Sequence, residues 1–244
     1  MSTAAEHPQG DNPLNSGRTT RSFDWTYFVE RSGEEGQAWL REYRRPDLRE
    51  IVRLANEALL LLRQRQLKTG RAMLDDVEAR LGALTGCMPS ILEVMDRWHQ
   101  GILAFYHYRV DDFESAENSV LRAQGSLISA MGRCRFLLPL ANHCHEFRLH
   151  RARIERNQRH WESMWGHIEA TRAMMDDREP LCVLADGTEV RFATLVEFYA
   201  ALLPIGEEAS AFLIAELDLR LRMRLFDNFV LALCTIPGFV IPYP

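Results

Sequence analysis

His143, His145, Glu146 and His150 are the densest group of ligand-type and proton-carrying side chains in the 244-residue chain. His143 and Glu146 are spaced i, i+3, and Glu146 and His150 i, i+4, so a helix places these three on one stripe. A metal centre there needs a further ligand from another helix, such as His99, His107 or His167. The spacing is not H-E-x-x-H. The second histidine falls one residue late, so His145 and His150 point apart. The paired Glu-x-x-His motifs of di-iron bundles are also missing. The plainer reading is hydrogen-bonded or solvated helix histidines. The alternative is a helical-bundle metal-binding protein or metalloenzyme using His143, Glu146 and His150.

Arginine gives the second chemical signal. Between Met131 and His160 seven arginines (Arg133, Arg135, Arg148, Arg151, Arg153, Arg156, Arg159) face two acids (Glu146, Glu155), a local charge of +5 in a chain of net charge −5. Guanidinium forks suit carboxylate or phosphate recognition. The competing reading is a solvated face balanced by acids on neighbouring helices. Nucleophilic catalysis finds no support, because there is no G-x-S-x-G elbow and no cysteine in a reactive context. Cys144, between His143 and His145, reads as a buried structural thiol. No phosphate-cradling glycine loop occurs. The chain therefore reads as non-catalytic, and no cofactor is expected.

The elements that must position these residues are helices. From Asp47 to Asp177 the apolar residues recur at three- and four-residue steps, as in Leu48, Ile51, Val52, Ala55, Ala58, Leu59 and Leu62. Ile91, Met95, Trp98, Ile102 and Phe105 repeat the pattern, as do Phe113, Ala116, Val120, Ala123 and Leu127. Breaks fall at Gly86–Ser90, around Asp111, at Gly132–Pro139 and near Asn157. Short connections make the segments antiparallel helix hairpins. Pro46 ends the preceding segment and Asp47 is the expected cap of the next helix. Residues 23–46, with Trp25, Tyr27, Phe28, Trp39 and Tyr43, fit one or two short helices that dock by their aromatics. Residues 1–22 read as a polar, disordered leader. In the C-terminal part, 179–244, Asp186-Gly187 between two apolar runs predicts a β-hairpin near 181–192 with a type I′ turn. Ala193–Leu203 is a short apolar helix. Glu216–Leu225 alternates like a strand but has helix-forming residues, and a helix over 207–233 is expected. The end of the chain is extended and apolar.

The hairpins resemble one another. Phe113 aligns with Trp161, Ala116 with Met164, Val120 with Ile168 and Ala123 with Thr171, at an offset of 48 residues; a fainter third copy is expected through Ala72 and Ala79. On Ala104, Phe113, Ala116 and Ala123, and on Ala152 and Trp161, residues 50–175 resemble the tetratricopeptide-repeat class of helical solenoids. Met164 and Thr171 replace that family's small residues, the offset exceeds its repeat, and its Trp-Leu-Gly signature is incomplete. The fold class expected is mainly α, an antiparallel helix-hairpin array over 47–178 with a small β-hairpin. A simple antiparallel bundle carries the same periodicity. The resemblance implies a groove lined by the first helices of successive pairs. Relative to Ala104 its residues are Trp98, Phe105, Tyr108 and Arg109. Relative to Ala152 they are Glu146, Arg153, Arg156 and Asn157. Such a surface suits a protein or peptide segment with an apolar anchor and an acidic or C-terminal carboxylate group.

Composition bounds the remaining possibilities. Hydrophobic residues make up 47% and charged residues 26%, which excludes a wholly disordered chain and a collagen. The 29 basic residues include a single lysine, Lys68, a bias of GC-rich genomes that points to a bacterial source. The acidic balance argues against nucleic acid as a partner. Cys87, Cys134, Cys144, Cys182 and Cys234 form no C-x-x-C pair, and an odd count does not close a disulfide framework. No signal peptide is apparent, and the longest uncharged stretch, Asn228–Pro244, is broken by Pro237 and Gly238. A cytoplasmic location with no membrane partner is expected. The function expected is an adaptor, chaperone or regulator binding a partner segment. Self-association through the tail Phe239–Tyr243 is a further possibility.

Overall fold

The computed structural model describes residues 25–202. The expected leader over 1–22, the helix over 207–233, the alternating segment 216–225 and the apolar tail 239–243 lie outside the described residues. Two short helices open the fold, α1 (Thr26–Arg31) and α2 (Gly33–Tyr43). The aromatics dock them as the sequence suggests. Trp39 stacks on Tyr43 at 5.1 Å and meets Trp25 edge-on at 5.7 Å. It also meets Phe136 at 6.1 Å, and its indole N–H donates to Ser90 Oγ at 2.9 Å.

Six helices follow: α3 (Pro46–Arg63), α4 (Leu67–Ala83), α5 (Pro89–Arg109), α6 (Phe113–Arg133), α7 (His143–Gln158) and α8 (Trp161–Met175). Each packs on the next, and α3 also touches α5. Pro46 is the first residue of α3 rather than a stop before it, which suits a ring that fixes φ and needs no donor. Asp47 therefore lies inside the first turn. There it bonds the Leu48 N–H at 2.9 Å and pairs with Arg45 at 2.6 Å. The break expected at 132–139 is filled by a 3-10 helix, Arg135–Asn142, which runs directly into α7.

Three hairpins share one turn. Arg65, Asp111 and Arg159 are left-handed, with φ of 64°, 59° and 62°. Each stands two residues before the second helix of its pair. The N–H of the following residue reaches back five positions in every case: Gln66 to Leu61 at 2.9 Å, Asp112 to His107 at 3.0 Å and His160 to Glu155 at 2.9 Å. That bond satisfies a carbonyl orphaned at the helix end. With the turns aligned, the second helices bury equivalent positions. Ala116, Val120 and Ala123 of α6 correspond to Met164, Ile168 and Thr171 of α8, and all six are buried. Counted from the same turn, the corresponding positions of α4 are Gly70, Leu74 and Val77, which are also buried. Ala72 and Ala79, the positions expected from sequence, are exposed. Small side chains suggested that register, but the core-facing stripe of α4 lies elsewhere on the helix.

Polar groups hold α5 to α6 along their shared side. Asp96 accepts from Arg122 at 2.9 Å and Ser126 at 2.6 Å, and Glu93 from Ser129 at 2.6 Å and Arg133 at 2.8 Å. Arg151 of α7 bonds Glu117 of α6 at 2.8 Å. Leu149, Ala152, Met164 and Ile168 form a small core of their own between α7 and α8.

After α8 comes the β-hairpin, β1 (Cys182–Val183) and β2 (Glu189–Val190), with Cys182 opposite Val190 and Val183 opposite Glu189. Its turn is not type I′. Gly187 is left-handed at φ 81° but Asp186 is not, and the Gly187 N–H bonds the Leu184 carbonyl at 2.9 Å. The loop is the three-residue kind that closes on a glycine bulge. Asp186 is held by an ion pair with Arg135 and accepts from the Thr188 N–H at 3.0 Å. The described part of the chain ends with α9 (Phe192–Leu202). No described helix is long and apolar enough to cross a membrane.

Gly70 sits where α4 crosses α3. A Cβ there meets Leu62 Cδ2 at 2.6 Å and Leu62 Cγ at 2.9 Å. Gly82, in the same helix, has nothing within 4 Å of an added Cβ. Gly70→Ala should destabilise the protein by about 1–3 kcal/mol through overpacking. Gly82→Ala should be neutral or stabilise it by up to about 1 kcal/mol. Urea unfolding of the two variants checks the contrast.

Candidate functional site

One face of α5 carries Arg97, Gly101, Phe105 and Tyr108, spaced by four, four and three residues, with Trp98 beside Arg97. One face of α7 carries Glu146, His150 and Arg153 at i, i+4 and i+7, flanked by Phe147 and Ile154. Contacts near both ends of the pair set the two helices side by side and running the same way. The Arg97 guanidinium lies 5.7 Å from the Phe147 ring, and Asn157 Nδ2 donates to Tyr108 Oη at 2.6 Å. Between these contacts the helices stand apart and leave a groove. Two adjoining cavities occupy it, of about 290 Å³ and about 350 Å³. Phe105, His150 and Arg153 wall both. Val120 of α6 contributes to the first, and Leu59 and Arg63 of α3 to the second.

Trp98, Phe105, Tyr108, Glu146, His150 and Arg153, all singled out from sequence, thus line one hollow. Three others take supporting places. Arg109 lies over the Phe105 ring at 5.8 Å, and Asn157 anchors Tyr108. Arg156 lies near enough to Arg153 to depress its pKa. The sequence singles out neither Arg97 nor Phe147. Trp98 drew attention to its own position, although Arg97 begins the 97, 101, 105, 108 stripe that a helix presents together.

Arg97 is the unusual member. Its guanidinium lies 5.7 Å from the Trp98 ring as well as from Phe147, and its Nε is buried without a hydrogen-bond partner among the described residues. Burial pushes its pKa down, and Glu146 is the largest opposing influence. Arginine stays charged even so. Arg153 is exposed by area, yet desolvation of its charged end is the main cause that lowers its pKa. His150, half-buried beside it, is pushed down to about 4, first by burial and then by Arg153. At neutral pH the imidazole is neutral, and the positive charge of this wall belongs to the arginines.

His143, Glu146 and His150 do not converge as ligands. His143 Nδ1 and Glu146 Oε2 are bonded at 2.8 Å, while His150 faces the groove with Arg153 beside it, a neighbour that repels a cation. His99 and His107 are engaged elsewhere. His99 Nε2 contacts the Leu74 carbonyl at 3.3 Å, and His107 pairs with Asp112 at 3.2 Å. His167 carries a pKa lowered by burial and by Arg151. Among the described residues no group of three His, Cys, Asp or Glu side chains could hold a metal ion. The arginine-rich stretch is largely partnered: Arg133 with Glu93, Arg135 with Asp186, Arg148 with Glu179 and Arg151 with Glu117. Arg153 is the member of that run that lines the groove.

No family model, no curated protein and no solved structure matches this chain.

The low pKa of His150 sets a pH dependence. Below about pH 6.5 the unfolded chain takes up a proton that the folded site refuses until about pH 4. Stability must therefore fall as pH drops through that window, by at most about 3 kcal/mol from this residue. His99 and His167 act in the same direction, since burial lowers both. His150→Gln should remove its share, so that Tm of the variant declines less than that of the parent between pH 7 and pH 4. Parallel slopes would assign the acid sensitivity to other groups.

Proposed function

We propose that the groove between α5 and α7 is a non-catalytic binding site for an extended partner segment, in which an apolar side chain seats on Phe105 and Trp98 and a carboxylate meets Arg97 and Arg153. The protein then serves as an adaptor, chaperone or regulator of the tetratricopeptide-repeat-like kind. The observation that carries this reading is Arg97, a guanidinium 5.7 Å from each of two aromatic rings with a buried N–H left unused. A buried donor without an acceptor costs about 1–3 kcal/mol, more for a charged group. A carboxylate arriving in the groove removes that cost and gains a charge-assisted bond. The aromatic floor supplies the apolar contact area that anchors a peptide.

A metal-centre reading gains no comparable support, because the three candidate ligands diverge and arginines surround one of them.

A peptide library displayed with free carboxyl termini, and the same library amidated, tests the proposal. Peptides ending in an aromatic or aliphatic residue with a free carboxylate, or carrying an internal acid beside one, should bind with an affinity that falls with salt. Arg97→Met should lower that affinity at least about tenfold, the scale for removing one partner of a buried charge pair. Arg153→Glu with Arg156→Glu should abolish it. Binding that is indifferent to all three changes would remove the groove from consideration.

A further inference from the structure

We propose that the groove recognises two side chains of its partner, two positions apart in an extended segment. An aromatic ring passes Phe105 into the inner cavity, and a carboxylate lies in the outer one. This rests on the reading of the groove as a peptide site, and specifies what the segment must carry. The two cavities differ in kind. Ala104, Val120 and Ile154, all buried, line the inner one, and its polar linings are Tyr108, His150 and Arg153. The outer one is lined by three arginines, Arg63, Arg97 and Arg153, and by one acid, Glu146. Glu146 is itself bonded to His143 at 2.8 Å. Three guanidinium groups against one carboxylate leave an excess of positive charge, the complement of an acidic side chain.

Size selects the anchor. A packed interior leaves few voids larger than a water molecule, and an apolar cavity of about 150 Å³ is enough to hold a benzene. The inner cavity, about 290 Å³, therefore takes a phenyl or indole ring together with its methylene. Alanine or valine in the same place leaves most of it unfilled. Small residues on the buried sides of α5 and α6 keep the space, since larger side chains at Ala104 and Val120 would close it.

Spacing selects the position of the acid. The α5 residues lining the inner cavity centre about five positions beyond those lining the outer one. On a helix that is roughly 7–8 Å along the axis. An extended chain turns residues i and i+2 to the same side, about 6.6–6.8 Å apart. An acid directly next to the aromatic residue points to the opposite side, away from the arginines. Phe105, His150 and Arg153 wall both cavities, so the segment passes over them between ring and acid.

The test uses the whole chain and acetylated, amidated peptides, which carry no terminal charge, read by fluorescence anisotropy. A peptide with phenylalanine and glutamate two positions apart, in either order, is expected to bind. Alanine in place of the phenylalanine should weaken binding at least about thirtyfold, the scale of a buried aromatic anchor. Glutamate moved next to the phenylalanine should weaken it about tenfold. Arg63→Met should lower affinity for the glutamate peptide but not for the same peptide with glutamine. Ala104→Leu should erase the preference for phenylalanine over alanine. Ile154→Phe closes the same cavity from α7 and replaces that variant if it loses its helical circular dichroism. Indifference to the spacing, or an unchanged phenylalanine preference in a folded, cavity-filled variant, would overturn the proposal. So would binding of free-carboxylate peptides alone, an outcome that keeps the groove as a site but not this pattern. Loss of all peptide binding would remove the reading of the groove itself, and this pattern with it.

Discussion

A left-handed residue at the end of the first helix fixes the geometry of each hairpin. At Arg65, Asp111 and Arg159 the chain takes a conformation that ordinary side chains adopt at a cost, and no glycine relieves it. The return comes from the N–H one residue later, which closes on a carbonyl five positions back. Because the closure is the same in all three hairpins, the second helix always starts two residues on and its buried face follows at a fixed phase. Ala116 and Met164 then occupy equivalent places although their volumes differ widely. Side-chain size adapts to the local gap between helices, and the turn decides which position faces it.

The groove follows from where the polar ties fall. Glu93 and Asp96 bind α5 to α6, and Arg151 with Glu117 binds α7 to α6. Helices α5 and α7 are therefore both fastened to α6, with few direct contacts between them. The Tyr108–Asn157 bond bridges one end, and the Arg97–Phe147 contact touches near the other. Gly101 keeps the α5 side of the hollow open, with nothing within 4 Å of where its Cβ would stand. Had α5 and α7 packed tightly on each other, Phe105 and His150 would be core residues.

Helices and their phases were legible in the sequence wherever apolar residues mark one face. Trp98, Phe105, Tyr108, Glu146 and Arg153, counted from Ala104 and Ala152, line the two cavities between α5 and α7, and both alanines are buried. Arg97 is not legible, since a charged residue on a helix normally signals solvent and only tertiary packing brings it to the Phe147 ring of α7. The phase of α4 differs from its sequence pattern for a related reason. Small residues mark close helix contacts only when they lie on the buried face, and there Gly70 rather than Ala72 is the contact. The hairpin turn went astray because Asp-Gly serves both two-residue and three-residue loops, and the Arg135 ion pair that holds Asp186 is invisible in local sequence.

The electrostatics of the groove depend on His150 staying neutral. Burial first, and then the like charges of Arg153 and Arg97, penalise a protonated imidazole here, which is why its pKa falls to about 4. The arginines cannot yield a proton in its place, so they keep the field positive at every physiological pH while His150 remains a neutral hydrogen-bonding group. An anion entering the groove changes that balance. It screens the guanidinium groups from the imidazole and so raises the pKa of His150, and by linkage the protonated imidazole holds the anion more tightly than the neutral one. Were a carboxylate to bind this wall as proposed, its occupancy would be coupled to proton uptake by His150. The same wall built from lysine would lack the planar guanidinium fork that lies 5.7 Å from both the Trp98 and Phe147 rings.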